Sequence, residues 1–109
     1  MKSDNFTVQV KDNGENLELF FSGQLTINYI QKVKEAVGEQ VNFSRDIAVR
    51  IDNPDNLDIT FLQLLQSMKA TTEKNKRKFS VSADLPNELD SLVSNAGFSD
   101  LLNSNPVNS

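Results

Sequence analysis

Hydrophobic and polar residues alternate at the start of the chain, and this alternation predicts β-strands. Phe6, Val8 and Val10 are separated by polar residues, and the alternation resumes over residues 17–21. Side chains of a strand point to opposite faces of a sheet at a period of two, so each run has one apolar face. The intervening residues 12–14, Asp-Asn-Gly, are typical of a tight turn. The pattern predicts an N-terminal β-hairpin.

The spacing of the apolar residues then changes to three or four, which is typical of a helix. Between residues 26 and 40 they fall on one helical face, while lysines and glutamates fall elsewhere. The pattern predicts an amphipathic helix over residues 26–40, whose apolar face consists of Ile27, Ile30, Val33, Val37 and Val41.

Alternation returns over residues 46–52 and predicts a third strand. Pro54 in the following loop disfavours helical geometry at the residue before it, so the second helix begins later. Asp58 is well suited to cap that helix, because a side-chain oxygen there can accept hydrogen bonds from free backbone N–H groups. The predicted core-facing stripe of this helix consists of Phe61, Leu64, Leu65, Met68 and Thr72.

The same alternation predicts a fourth strand over residues 78–83. Pro86, which a first helical turn accepts, begins a last predicted helix that ends near residues 95–97. Residues 103–109 are polar and include a proline, so we expect a disordered tail there. The apolar positions of the last helix are Leu89, Leu92 and Val93.

The order of these elements is strand, strand, helix, strand, helix, strand, helix. A hairpin followed by strand–helix–strand units predicts an α/β fold with a mixed sheet of about four to five strands, right-handed crossovers and helices mainly on one face. The 109 residues, 38% of them apolar, suit one domain with one modest core. We expect this domain to span residues 1–102.

Charge and composition exclude several classes of function. The net charge of −4 argues against a general affinity for nucleic acid or anionic lipid. No Cys or His is present, which excludes thiol nucleophiles, disulfides, imidazole bases and the common zinc sites. Glycine-rich phosphate loops, nucleophile elbows and paired-carboxylate motifs are also absent, so we expect no enzymatic activity, cofactor or metal. Without a signal peptide or a long apolar run, the expected location is the cytoplasm, with no membrane insertion.

Two clusters of charge leave alternatives open. Residues 74–78 hold four of the 11 basic residues and could bind phosphate, although a solvated turn before a strand is the more common role. Asp52, Asp55 and Asp58 could bind a divalent cation through oxygen ligands. They lack the glycine turn and the distal glutamate of a calcium loop, so turn and capping roles are favoured.

Several segments fall in the order found in a known family. Residues 21–26, Phe-Ser-Gly-Gln-Leu-Thr, resemble the strand end that leads into the first helix of a STAS domain, the family of bacterial anti-sigma factor antagonists. Residues 47–52 resemble its central strand, and residues 56–65 take the place of the segment that opens its second helix. Residues 85–89 and 96–98 resemble its closing helix and the step after it. The likeness runs from about residue 6 to residue 102.

The resemblance implies a small cytoplasmic signalling module that binds a protein partner and regulates transcription. The partner would be an anti-sigma factor that is also a kinase or, in related domains, a lipid-transporting ABC ATPase. Docking would use the loop over residues 53–57 and the helix start over 58–63, together with the first helix around Thr26 and Asn28. We expect a monomer or weak dimer, with partner contacts from Asp55, Asn56, Asp58, Ile59, Thr60 and Gln63.

The chain departs from the family where relatives carry their phosphoacceptor. Asp58 matches the family Asp, but Ile59 occupies the acceptor position and Phe61 replaces a glycine. Thr60 is then either the phosphoacceptor, displaced by one residue, or an ordinary residue of the first helical turn, which is the favoured role. Ile59 could extend the docking surface or tuck under the preceding loop. We therefore expect docking without the usual phospho-switch; the alternative class is a small-ligand or nucleotide-binding domain using the same loops.

Overall fold

The computed structural model describes residues 5–89 and residue 91. In this part of the chain the elements are β1 (Phe6–Asp12), β2 (Leu17–Leu25), α1 (Ile30–Gln40), β3 (Ile47–Asp52), β4 (Asn56–Leu57), α2 (Ile59–Lys74) and β5 (Phe79–Asp84). Residues 87–89 begin another helical segment, as Pro86 predicts. The predicted positions Leu92 and Val93, residues 96–98 and the tail at 103–109 lie outside the described residues.

The strands form one mixed sheet. Its order is β1-β2-β3-β5, with β1 antiparallel to β2 and the remaining neighbours parallel. The short strand β4 pairs in parallel with the last two residues of β2, beyond the part of β2 that pairs with β3. This arrangement confirms the predicted α/β fold and the number of strands. β4 itself was not predicted, because two residues are too few to show a period.

The sheet has one covered face and one face that is partly exposed. In β2, Leu17, Leu19 and Phe21 are buried, while the alternate residues are only partly covered. α1 packs against β1, α2 packs against β5, and the two helices contact each other. The ring of Phe61 in α2 meets Phe21 edge-on, with ring centroids 5.1 Å apart. Phe61 is therefore a core residue, as its place in the predicted stripe indicates.

The first helix begins later than the sequence pattern predicts. Residues 26–29 form a turn, in which the Tyr29 N–H donates to the Thr26 carbonyl over 2.9 Å. The expectation that Ile27 lies on the buried face is wrong, because this turn leaves its side chain 65% exposed. Val41 follows the last residue of α1 and is half-buried.

The core-facing stripe of α2 is also displaced from its predicted position. Phe61, Leu65, Met68 and Thr72 are buried as predicted, but the fifth buried residue is Leu62, whereas Leu64 is only half-buried. Leu62 and Leu64 flank the stripe on opposite sides, so either could complete an apolar face at helical spacing. In the folded chain the Leu64 side of the helix borders an open groove next to α1.

Candidate functional site

The two segments predicted to form the docking surface lie side by side. The Asp55 N–H donates to the Gly23 carbonyl over 2.9 Å, and the Asp58 N–H donates to the Leu25 carbonyl over 3.1 Å. These bonds flank the pairing of β4 with the end of β2. The start of α2 is thus tied to the chain that leads into α1.

The structure explains why position 23, in the segment that resembles the family motif, is a glycine. Its φ of +87° lies in a region that L side chains rarely adopt. A Cβ at this position would lie 2.5 Å from the Asn5 carbonyl oxygen and 2.7 Å from Phe6 Cα. The close approach of the chain before β1 therefore requires a residue without a side chain here.

Asp58 connects the starts of both helices. Its Oδ1 atom accepts a hydrogen bond from the Thr60 N–H over 3.0 Å and another from the Thr60 hydroxyl. Its Oδ2 atom accepts a hydrogen bond from the Ile27 N–H over 2.7 Å. The predicted cap is confirmed, and the same carboxylate also holds the turn before α1. The Thr60 hydroxyl contacts this carboxylate rather than free backbone N–H groups.

Ile27 and Ile59 are the large apolar residues that the described part of the chain exposes. Ile27 is 65% exposed and Ile59 is 46% exposed. Ile59 is the residue after Asp58, and the Ile27 N–H is bonded to Asp58, so one carboxylate holds the backbone beside both side chains. The exposure of Ile59 contradicts the alternative in which its side chain tucks under the preceding loop.

The remaining predicted contact residues divide into exposed and buried ones. Asp55, Asn56 and Gln63 are exposed, and Asn28 in the turn before α1 is exposed as well. Thr26 is only 7% exposed, so the expectation that it contributes to a docking surface is wrong. The turn that begins at Thr26 leaves the Thr26 side chain buried and the Ile27 side chain exposed.

A groove separates the first parts of α1 and α2. It has a volume of about 360 Å³ and is lined by Ile27, Ile30, Lys34, Thr60, Gln63, Leu64 and Ser67. Sequence reasoning missed this groove because helical spacing assigned both Ile27 and Leu64 to the core. The polar residues Thr26 and Asn28, which favour turns, were the signal that α1 begins later.

The structure also places the basic and acidic clusters that the sequence analysis identified. Lys74 is the last residue of α2, and Lys76, with a φ of +61°, lies in the exposed turn that follows. No group of three or more acidic side chains within the described residues could hold a metal ion. Asp52 and Asp55 instead border an open cavity of about 440 Å³, while the Asp58 oxygens are bonded to Thr60 and Ile27.

Among the helices of the described residues, none has the length and apolar character that crossing a membrane requires. Comparison of the chain with protein-family models and with curated proteins finds no match to either. The likeness to STAS domains therefore stays a prediction that depends on the segments quoted above.

Proposed function

We propose that this chain is a non-enzymatic protein-interaction module, and that it binds a partner protein through the surface around Asp58. We call this the docking surface and define it as Ile27, Asp55, Asn56, Asp58, Ile59, Thr60 and Gln63. The observation that carries the proposal is the exposure of Ile27 and Ile59 on adjoining segments. Single exposed apolar residues are common, but neighbouring ones on a rigid scaffold are typical of interaction sites.

The docking surface is preorganised. Asp58 holds the backbone beside Ile27 and caps the helix that carries Ile59, and the pairing of β4 with β2 holds the loop between them. A surface that is already ordered loses less conformational entropy when a partner binds. The exposed polar residues Asp55, Asn56 and Gln63 lie where they would form a polar rim around the two isoleucines.

The resemblance to anti-sigma factor antagonists suggests the kind of partner. The segment from residue 56 to residue 65 takes the place where those proteins dock on a regulatory partner, so we propose an anti-sigma factor of the kinase type. An ABC ATPase is the partner in the transport version of the same proposal. In either case docking is constitutive or is controlled on the partner's side, because Ile59, at the position of the family's phosphoacceptor, cannot be phosphorylated. Phosphate on Thr60 would place two more negative charges against the Asp58 carboxylate and disrupt the cap.

Affinity purification from the native host, with quantitative mass spectrometry of the retained proteins, tests the docking surface. Ile27→Asp and Ile59→Asp should each reduce retention of the partner at least about tenfold, because a charge replaces apolar contact area. Ala70→Asp is the matched control, since Ala70 is exposed on α2 and lies about 16 Å along the helix from Ile59. Retention that is equal in all three variants would refute the docking surface.

Constitutive docking has its own test. The chain is purified from the host, and the phosphate on Thr60 is quantified by mass spectrometry. We expect no stoichiometric phosphate at this position. If Thr60 carries stoichiometric phosphate and the phosphorylated form releases the partner, docking is switched and the constitutive version is wrong.

A further inference from the structure

The groove between α1 and α2 has two walls that face each other. One wall consists of Ile27, Ile30 and Lys34, and the other consists of Thr60, Gln63, Leu64 and Ser67. Ile30 and Lys34 lie above one another on one side of α1, Ile27 lies in the turn before it, and the four residues of the other wall lie on one side of α2. Both helices connect parallel strands, so they run in the same direction, with Ile27 and Thr60 at one end and Lys34 and Ser67 at the other.

A helix fits this groove better than an extended segment. The walls are side chains of α1, of the turn before it and of α2, and no strand lines the groove, so an extended segment could not pair with a sheet edge there. A helix satisfies its own backbone hydrogen bonds and needs only side-chain contacts. The wall from Thr60 to Ser67 is about 10 Å long, which corresponds to about two turns of a partner helix.

The charge of the groove indicates which residues the helix carries. Lys34 is the one charged side chain among the groove residues, and it belongs to a chain with a net charge of −4. A carboxylate of the partner would complement it, whereas a basic segment would be repelled at this end. Ile30, which precedes Lys34 by about one helical turn, is buried, so the exposed Ile27 and the half-buried Leu64 supply most of the apolar contact area.

We propose that the groove binds an amphipathic helix of the partner that presents an apolar side chain and a carboxylate about one turn apart. The apolar side chain lies between Ile27, Ile30 and Leu64, and the carboxylate pairs with Lys34. This inference rests on the proposed docking function and extends it from the docking surface into the adjoining groove.

A display library of helical peptides with randomised faces, selected on the full chain, tests the inference. Selected peptides should share an apolar residue and an Asp or Glu three or four positions apart. Amide chemical shifts should change along both walls of the groove when such a peptide binds. The inference is overturned if selection yields no binding peptide, if binders lack the carboxylate, or if the shifts change elsewhere.

Variants of Lys34 then test the charge pair. Lys34→Glu should weaken peptide binding at least about tenfold, and Lys34→Arg should retain it. Lys32→Glu is the matched control, because Lys32 is an exposed residue of α1 outside the groove. Exchanging the peptide carboxylate for Lys should restore binding to Lys34→Glu. Equal binding by Lys34→Glu and Lys32→Glu would contradict the pair.

The two proposals can fail separately. If Ile59→Asp loses the native partner while Lys34→Glu retains it, the docking surface is supported. The proposed partner helix, with a carboxylate that pairs with Lys34, is then wrong. If neither variant loses the partner, both proposals are wrong. If both lose it and Lys32→Glu does not, both are supported, because Ile59 lies outside the groove and Lys34 lies outside the docking surface.

Discussion

At the scale of single residues, Asp58 shows what a sequence can and cannot reveal about a side chain. Its capping role depends on residues that follow it directly, so the local pattern predicts it. Its bond to the Ile27 N–H crosses 31 positions in the chain, and no local pattern records such a contact. Thr60 shows the same limit, because its place in the first turn was predictable but the carboxylate contact of its hydroxyl was not.

Substitutions at Asp58 should separate its two roles. Asp58→Ala removes every acceptor and should lower the free energy of unfolding by about 1–2 kcal/mol, which is typical for the loss of a cap. Asp58→Asn replaces one of the two carboxylate oxygens with an NH2 donor, and because the Thr60 and Ile27 N–H groups donate to different oxygens, one of them loses its acceptor. We expect an intermediate loss in urea denaturation and faster hydrogen exchange at the Ile27 amide. If Asn reproduces the stability and the exchange rate of the native residue, the link to Ile27 contributes nothing.

Gly23 and Gly38 should respond in opposite directions to the same substitution. Gly23→Ala adds a Cβ at positive φ, 2.5 Å from a carbonyl oxygen, and should lower the free energy of unfolding by at least about 2 kcal/mol. Gly38 lies in α1, where nothing lies within 4 Å of a new Cβ. Gly38→Ala should raise stability by about 0.5–1 kcal/mol, because alanine favours the helix. Chemical denaturation measures both values, and equal signs would contradict the close approach at Gly23.

At the scale of elements, the end of α2 has a Schellman motif in which lysine replaces the usual glycine. The Arg77 N–H donates to the Thr72 carbonyl over 3.1 Å, and the Lys76 N–H donates to the Glu73 carbonyl over 2.9 Å. Lys76 has a φ of +61°, where a side chain is unfavourable. The basic cluster therefore lies in a helix stop, which favours the solvated-turn alternative for it.

Lys76→Gly should stabilise the chain by about 0.5–1 kcal/mol, because glycine adopts this backbone conformation without strain. Lys76→Ala is the control, since it removes the same charge and keeps the Cβ. Urea denaturation compares the two variants with the native chain. If the alanine variant gains as much stability as the glycine variant, the gain comes from reduced charge repulsion rather than from reduced backbone strain.

Periodicity predicted the strands and helices longer than the two-residue β4, but it did not predict the edges of the helices. Spacing alone places Ile27 on the apolar face of α1. In the structure, the turn that contains Thr26 and Asn28 leaves the Ile27 side chain exposed. Spacing likewise cannot decide whether Leu62 or Leu64 completes the stripe of α2, because the rotation of the helix depends on the sheet beneath it. Both errors fall on residues that line the groove, so the sequence pattern did not predict the groove.

At the scale of the whole molecule, the topology of the sheet explains the position of the docking surface. β2 and β3 are parallel, so their carboxyl ends meet at one edge of the sheet, and the segments that follow them come together there. The resemblance to the family assigned these two segments to one surface, and the parallel pairing of β2 and β3 is what brings them together in the structure. The opposite edge contains the hairpin turn and the loop before β3, which are joined by an ion pair between Asp12 and Arg45.

This ion pair should be visible in the acid titration of the molecule. Both carboxylate oxygens of Asp12 accept hydrogen bonds of 3.0 Å from the Arg45 guanidinium, and the Gly14 N–H donates to the same carboxylate. The Arg45 bonds first, and the Gly14 bond second, lower the pKa of Asp12 from 3.8 to about 2. Because the folded-state pKa is depressed, the contribution to stability is present above the unfolded-state pKa and is lost as the pH falls to about 2.

Arg45→Gln should therefore raise the pKa of Asp12 toward 3.8, without reaching it, because the Gly14 bond remains. Carboxyl NMR titration of Asp12 measures the shift, and Arg50→Gln, an exposed residue of β3, should leave it unchanged. The stability of Arg45→Gln should fall below that of the native chain near neutral pH and approach it near pH 2. Since the Asp12 side chain is exposed and the Arg45 side chain is only half-buried, added salt should reduce the difference. A pKa that stays at about 2 in Arg45→Gln would mean that the turn alone holds the carboxylate ionised.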